Sequence, residues 1–232
     1  MIVAVTGGKG GIGKSTVSLN LGRELDAVVV DADLSTADLP RGDGPDLHDV
    51  LAGRSRALEA VQRIGPVRFL PCGRTLAGAR ASDLTEFPGV VDRLERECGR
   101  VVVDCPAGLA RDVGIQLESA HVAVLVTTPD ESALVDALRT RQLSLDLETP
   151  IASVVVNRVR TDGAADLATR VERKLGATTT VIDELPAVDD AMAQWRPVRD
   201  TQSECEAIEA FETVAQSVER CEKRLSGRIG VL

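Results

Sequence analysis

Short runs of consecutive apolar or β-branched residues recur along this chain, each followed by a glycine-rich or polar stretch. Seven such runs, at 2–5, 27–31, 67–70, 101–104, 122–127, 151–156 and 178–182, are four to six residues long. Most are unbroken rather than alternating, which suits strands buried on both faces of a parallel sheet. Between them, longer stretches carry the three- and four-residue spacing of amphipathic helices: 14–25, 46–62, 83–97, 111–118, 131–143, 162–175, 187–194 and 203–225. Alternation of this kind predicts an α/β fold, a mostly parallel twisted sheet with helices on both faces. No internal repeat or low-complexity segment interrupts it. One domain spanning 1–232 is expected, with 210–232 as a C-terminal helix and tail.

The chemistry sits where the strands end. Directly after the first strand comes Gly8-Lys9-Gly10-Gly11-Ile12-Gly13-Lys14-Ser15-Thr16, which fits the phosphate-binding pattern GxxxxGK[ST]. Glycines let successive backbone N–H groups turn inward around phosphate oxygens, and the following helix adds its positive N-terminal end. Lys14 is expected on the β/γ-phosphates, the Ser15 hydroxyl on Mg²⁺, and Thr16 near the α-phosphate. Only four lysines stand among 27 basic residues, and two of them are in this loop. Two further valine runs end in acids, one at Asp31-Ala32-Asp33 and one at Asp104-Cys105-Pro106-Ala107-Gly108. Those are carboxylates at the sheet edge where open α/β proteins bind ligands. A fourth run ends at Asn157-Arg158, whose amide offers a donor and an acceptor in one plane, as an adenine edge requires.

The sequence GKGGIGKST resembles the deviant Walker A motif of the MinD/ParA group of P-loop ATPases, and is most like the MinD type. The group also includes the nitrogenase iron protein and Mrp-type iron–sulfur carriers. The resemblance implies a P-loop fold binding ATP and Mg²⁺, with roles for particular residues. Lys9 would reach across an ATP-bound dimer to the other subunit's phosphates. Asp33 would orient the attacking water, Asp31 would help hold the Mg²⁺ shell, and Asp104 would bind Mg²⁺ through water. The Gly108 backbone would sense the γ-phosphate. Asn157, beside Arg158, would meet the base, together with a loop resembling Leu185-Pro186-Ala187-Val188. Preference for ATP over GTP follows from the same resemblance.

Composition narrows the partners. A net charge of −9 disfavours direct non-specific DNA binding. Low lysine with abundant aspartate fits a high-salt cytoplasm or GC-biased codons equally. Five scattered cysteines without a CxxC suit a reducing cytoplasm and read as buried apolar residues, although Cys72 and Cys105 both follow strand ends. His48 and His121 read as satisfied structural histidines. No apolar run approaches a membrane span and no secretory signal precedes the first strand. Phe211, Val214, Val218, Cys221 and Leu225 form a helical stripe, followed by a basic tail broken by Gly227 and Gly230 that leaves peripheral contact at the inner membrane face open.

The expectation is a cytoplasmic Mg-ATP-dependent dimerisation switch that hydrolyses ATP to position a membrane, polar or chromosomal assembly. Its partners would be a second copy of the chain and a protein activator or cargo. The alternatives are an iron–sulfur carrier or electron-transfer ATPase, and a non-hydrolytic ATP-binding regulator.

Overall fold

A computed structural model describes residues 1–34, 39–40, 42–73, 75–160 and 163–229. Its frame is an eight-stranded sheet made of β1 (Ile2–Thr6), β2 (Val28–Asp31), β3 (Gln62–Ile64), β4 (Val67–Leu70), β5 (Val101–Asp104), β6 (Val122–Thr127), β7 (Ile151–Val159) and β8 (Thr179–Asp183). The order across the sheet is β3-β4-β2-β5-β1-β6-β7-β8. All pairings are parallel except β3 with β4, an antiparallel edge.

Period-two alternation sends successive side chains of each central strand to opposite layers. Val3 and Val5 of β1 face one core, which they share with Val17 and Leu21 of α1 (Lys14–Glu24) and Phe211, Val214 and Val218 of α10 (Ala207–Ile229). Ile2 and Ala4 face the other, against α5 (Phe87–Cys98) and α6 (Arg111–Glu118). Farther along that second face, Leu125 and Val154 meet α7 (Glu131–Asp146) and α8 (Ala164–Leu175). The valine runs are therefore buried from both sides. Ion pairs from Arg199 to Glu24 and Glu212, and from Arg100 to Glu219 and Glu222, fasten the C-terminal helix to the body.

Three stretches depart from the expected elements. The helix anticipated over 46–62 is two short ones, α2 (Leu47–Leu51) and α3 (Ala57–Ala60), parted by a turn in which Gly53 has φ 69°. Its end became β3, and α4 (Leu76–Ala81), capped by the Thr75 hydroxyl, fills a stretch read as loop. The C-terminal helix does not break at Gly227 but continues to Ile229. An isolated glycine costs a helix only about 1 kcal/mol, which a helix already docked by its apolar stripe can absorb. Gly230, Val231 and Leu232 lie outside the described residues.

Candidate functional site

The glycine loop joins β1 to α1 and lies at the C-terminal edge of the sheet, beside the ends of β2 and β5. Close packing explains its composition. A Cβ on Gly8 would stand 2.6 Å from the Asp136 Cβ and 2.8 Å from its carbonyl oxygen, so α7 leaves no space there. Gly13 caps α1 with φ 95°, a left-handed backbone, and its missing side chain makes room for the Asn157 amide. Ile12 is buried and plugs the loop into the core. Gly10 faces the second acidic turn, its Cβ position 4.0 Å from the Ala107 Cβ. Gly11 has φ 75° and Gly108 φ 95°.

Lys14 opens α1 and is 7% exposed, its Nζ turned back to the Lys9 carbonyl at 3.5 Å. Ser15 and Thr16 follow in the first turn, half-buried. Lys9 is exposed on the rim, where its Nζ donates to the Ser132 hydroxyl of α7 at 3.2 Å. The two lysines thus occupy different settings, one inside the site and one on its lip. A groove of about 410 Å³ runs outward from that lip, lined by Lys9, Asp130, Arg158, Arg160 and Glu184.

At the ends of β2 and β5, parallel pairing sets Asp31 directly across from Asp104. Both are essentially buried, at 0% and 2% exposure. Asp31 accepts the N–H groups of Asp33 and Leu39, and Asp104 accepts the Ser18 hydroxyl at 2.9 Å. Burial, then the neighbouring Asp104 charge, push the Asp31 carboxyl well above the usual carboxylate range. Two buried acids of which one resists ionising form a site that gains from a cation. Among the described residues no group of three or more His, Cys, Asp or Glu side chains could hold a metal ion. A hard cation here would complete its oxygen shell from phosphate and water, as Mg²⁺ commonly does.

Asn157 lies inside β7, which continues past the expected end at 156 to Val159. Its Nδ2 donates to the Ile12 carbonyl at 2.9 Å, and Arg158, at φ 58°, donates to the Gly11 carbonyl at 2.9 Å. Both residues read as base-contacting therefore brace the phosphate loop. Pro186 opens α9 (Pro186–Ala193) and borders a cavity of about 570 Å³ shared with the segment 201–206. Val188 is only 7% exposed and belongs to the core.

The expected cysteine reading holds for the strand-end pair. Cys72 and Cys105 are buried, at 3% and 2% exposure, and burial pushes both thiols well above their ordinary range, as for apolar core cysteines. His48 is less satisfied than expected. Its Nε2 lies 3.8 Å from the Cys72 sulfur, while Nδ1 has no hydrogen-bond partner among the described residues. Sequence reading missed two polar residues at the acid pair, Ser18 and Gln116. Each interrupts an apolar helical stripe (Val17, Ser18 and Leu21 on α1; Val113, Gln116 and Leu117 on α6), and a polar residue on such a stripe is the signal that was available.

Residues 3–198 match the CbiA family, described as the CobQ/CobB/MinD/ParA nucleotide binding domain. An uncharacterised ATP-binding protein of Methanocaldococcus jannaschii is 33% identical over 173 residues, covering 70% of this chain and 66% of its own length. The septum site-determining protein MinD of Bacillus subtilis is 34% identical over 176 residues, covering 68% of this chain and 65% of its own. The chain thus spans about two thirds of the length of these relatives. MinD of Pyrococcus horikoshii, solved in complex with Mg-ADP, superposes with a TM-score of 0.83 at 27% identity, over 94% of this chain and 95% of that one. By fold, by the two-lysine glycine loop beside the acid-tipped strands and by sequence over most of its length, the chain belongs to the CobQ/CobB/MinD/ParA family of nucleotide-binding domains.

Proposed function

We propose that the chain is an Mg-ATP-dependent dimerisation switch that hydrolyses ATP and releases a partner when it does so. The observation that carries the reading is the division of labour between the two lysines, Lys14 buried at the head of α1 and Lys9 exposed on the lip. Lys14 and the loop N–H groups bind the β/γ-phosphates of the same subunit. The Ser15 hydroxyl, with Asp31 and Asp104 behind it, would hold an Mg²⁺ ion, which would supply positive charge against the phosphates. Asp33, on the segment leaving β2, orients the water for attack on the γ-phosphorus, and Gly108 offers its N–H to that phosphate. The rim lysine serves the nucleotide of a second copy across a two-fold axis, as arginine fingers do in trans.

Asn157 and Arg158 hold the loop in shape, and the cavity beside Pro186 takes the base. The assembly positioned by such a switch would be membrane, polar or chromosomal, engaged through a protein activator or cargo. Lys223 and Arg224, exposed near the end of α10, would favour peripheral contact with an anionic membrane face. No helix among the described residues is long and apolar enough to cross a membrane.

Light scattering with ATP and with ADP, on the parent and on Lys9→Ala, tests the switch. The parent should gain mass with ATP alone. The variant should retain nucleotide binding yet lose both ATP-dependent association and turnover, and a variant that still dimerises with ATP would overturn the trans role.

A further inference from the structure

Gln116 is a polar side chain with 0% exposure on the buried stripe of α6. Its Nε2 donates to the Ala32 carbonyl at 2.9 Å, 84 residues away in sequence. Its Oε1 has no hydrogen-bond partner among the described residues. The amide orientation is dictated by the contact, since the reverse would set two acceptors against each other.

Ala32 lies between Asp31 and Asp33. Its N–H is fixed to the Asp104 carbonyl of β5 at 3.1 Å, and its carbonyl also receives the Leu34 N–H at 3.1 Å. Asp33 is held from the other side, where the Cys72 thiol donates to its carbonyl at 3.0 Å. The backbone that aims the Asp33 carboxylate is therefore pinned by three separate elements, of which only α6 follows directly on the turn carrying Gly108. That helix starts at Arg111, close behind Gly108.

We infer that Gln116 is a positioning residue that couples the Gly108 turn to the Asp31–Asp33 segment, so that a γ-phosphate engaging Gly108 sets the Asp33 carboxylate through α6. The inference rests on the switch reading above and deepens it. A buried acceptor left without a donor is destabilising, so Gln116 is not kept for stability alone. The buried bond from α6 to the Ala32 carbonyl gives any movement of the Gly108 turn a direct route to the backbone beside Asp33. Pure space-filling would be served better by leucine or methionine on this stripe.

The test compares Gln116→Met, which keeps length and volume without the donor, with Gln116→Ala, which removes both. Calorimetry gives ATP affinity, steady-state kinetics separates kcat from KM, and hydrogen exchange of the segment 28–34 reads the tether without needing turnover. For Gln116→Met we expect ATP affinity and KM within about twofold of the parent and kcat lower by roughly 10- to 100-fold, the scale of an ångström of misplacement. ATP-dependent exchange protection of 28–34 should be present in the parent and absent in the variant. A Gln116→Met protein with parental kcat and parental protection would overturn the inference, more so if Gln116→Ala alone were impaired. Loss of ATP binding together with turnover in both variants would also overturn it, by making Gln116 a folding residue. Should the parent bind ATP without hydrolysing it, the hydrolysis reading fails by itself and the exchange comparison still decides the tether.

Discussion

Strands β2 and β5 on one side of β1, and β6 and β7 on the other, share a valine-rich build, yet the first pair ends in the carboxylates Asp31 and Asp104 while the second carries the neutral Thr127 and Asn157. On the acidic side the groups are buried in like-charge register and one is driven toward its neutral form. On the neutral side they are satisfied within the protein: Thr127 on the Thr128 carbonyl, Thr128 on Asp130, Asn157 on Ile12. One flank of the glycine loop is thus poised, storing a repulsion that a cation relieves, and the other is set, holding the loop in shape whether or not a ligand is present. A nucleotide site needs both, since preorganised donors cost nothing at binding while the charge of the metal-phosphate group supplies the drive.

The largest change comes from the residue that serves both flanks. Lys14→Ala removes the buried ammonium at the mouth of the loop, and ATP affinity should fall by about 100-fold or more, as expected for losing charge-assisted bonds to phosphate. Calorimetry at several salt concentrations would check this, and near-parental affinity would refute its role.

Asp31→Asn breaks the poised flank alone. The folded-state value of this carboxyl is raised above its ordinary 3.8, so its contribution to stability is full below that pH and is lost as pH rises through the folded value. With metal chelated, the asparagine variant should therefore be the more stable protein at neutral pH, by about 1 kcal/mol or roughly 2–4 °C in Tm for a chain of this size. Its stability should also depend less on pH over the interval above 3.8. Adding Mg-ATP should reverse the order, because only the parent gains the full ligand-linked stabilisation. Thermal unfolding in chelator and in Mg-ATP supplies both readings. A variant less stable than the parent in both media would show that the acid pair is not poised.

Much of this contrast was legible in the sequence. Unbroken valine runs ending in Asp31 and Asp104 announced buried strands with acids at the ligand edge, and the glycine loop announced itself by spacing. What stayed hidden were effects that arise only across elements. Asn157 was read for its amide chemistry alone, and its second task, a bond from Nδ2 to the Ile12 carbonyl of the glycine loop, appears only once β7 and the loop are brought together. The short edge strand β3 was missed, and its first residue, Gln62, was taken into a helix, because a three-residue strand presents too little pattern to count. Gln116 was passed over because a single polar residue on an apolar stripe acquires meaning only when the backbone it reaches is known.

The smallest expected effects separate two braces on the set flank. Asn157 is 4% exposed, and its bond to the Ile12 carbonyl is sheltered from water, so Asn157→Ala leaves a buried acceptor with no substitute donor. That loss costs about 1–3 kcal/mol, which should appear as a roughly tenfold weaker ATP affinity together with a lower Tm. Arg158 makes a bond of the same length to Gly11, but from an exposed position where water replaces it on truncation. Arg158→Ala should therefore shift affinity by about twofold or less at physiological salt, near the bottom of the range for exposed polar contacts. Because Gly13 has no side chain where the Asn157 amide sits, a larger residue at 157 would collide with the loop, so alanine is the cleaner probe. Equal losses from the two alanine variants, measured by calorimetry at one salt concentration, would mean that burial does not rank these braces and that Arg158 meets the nucleotide directly.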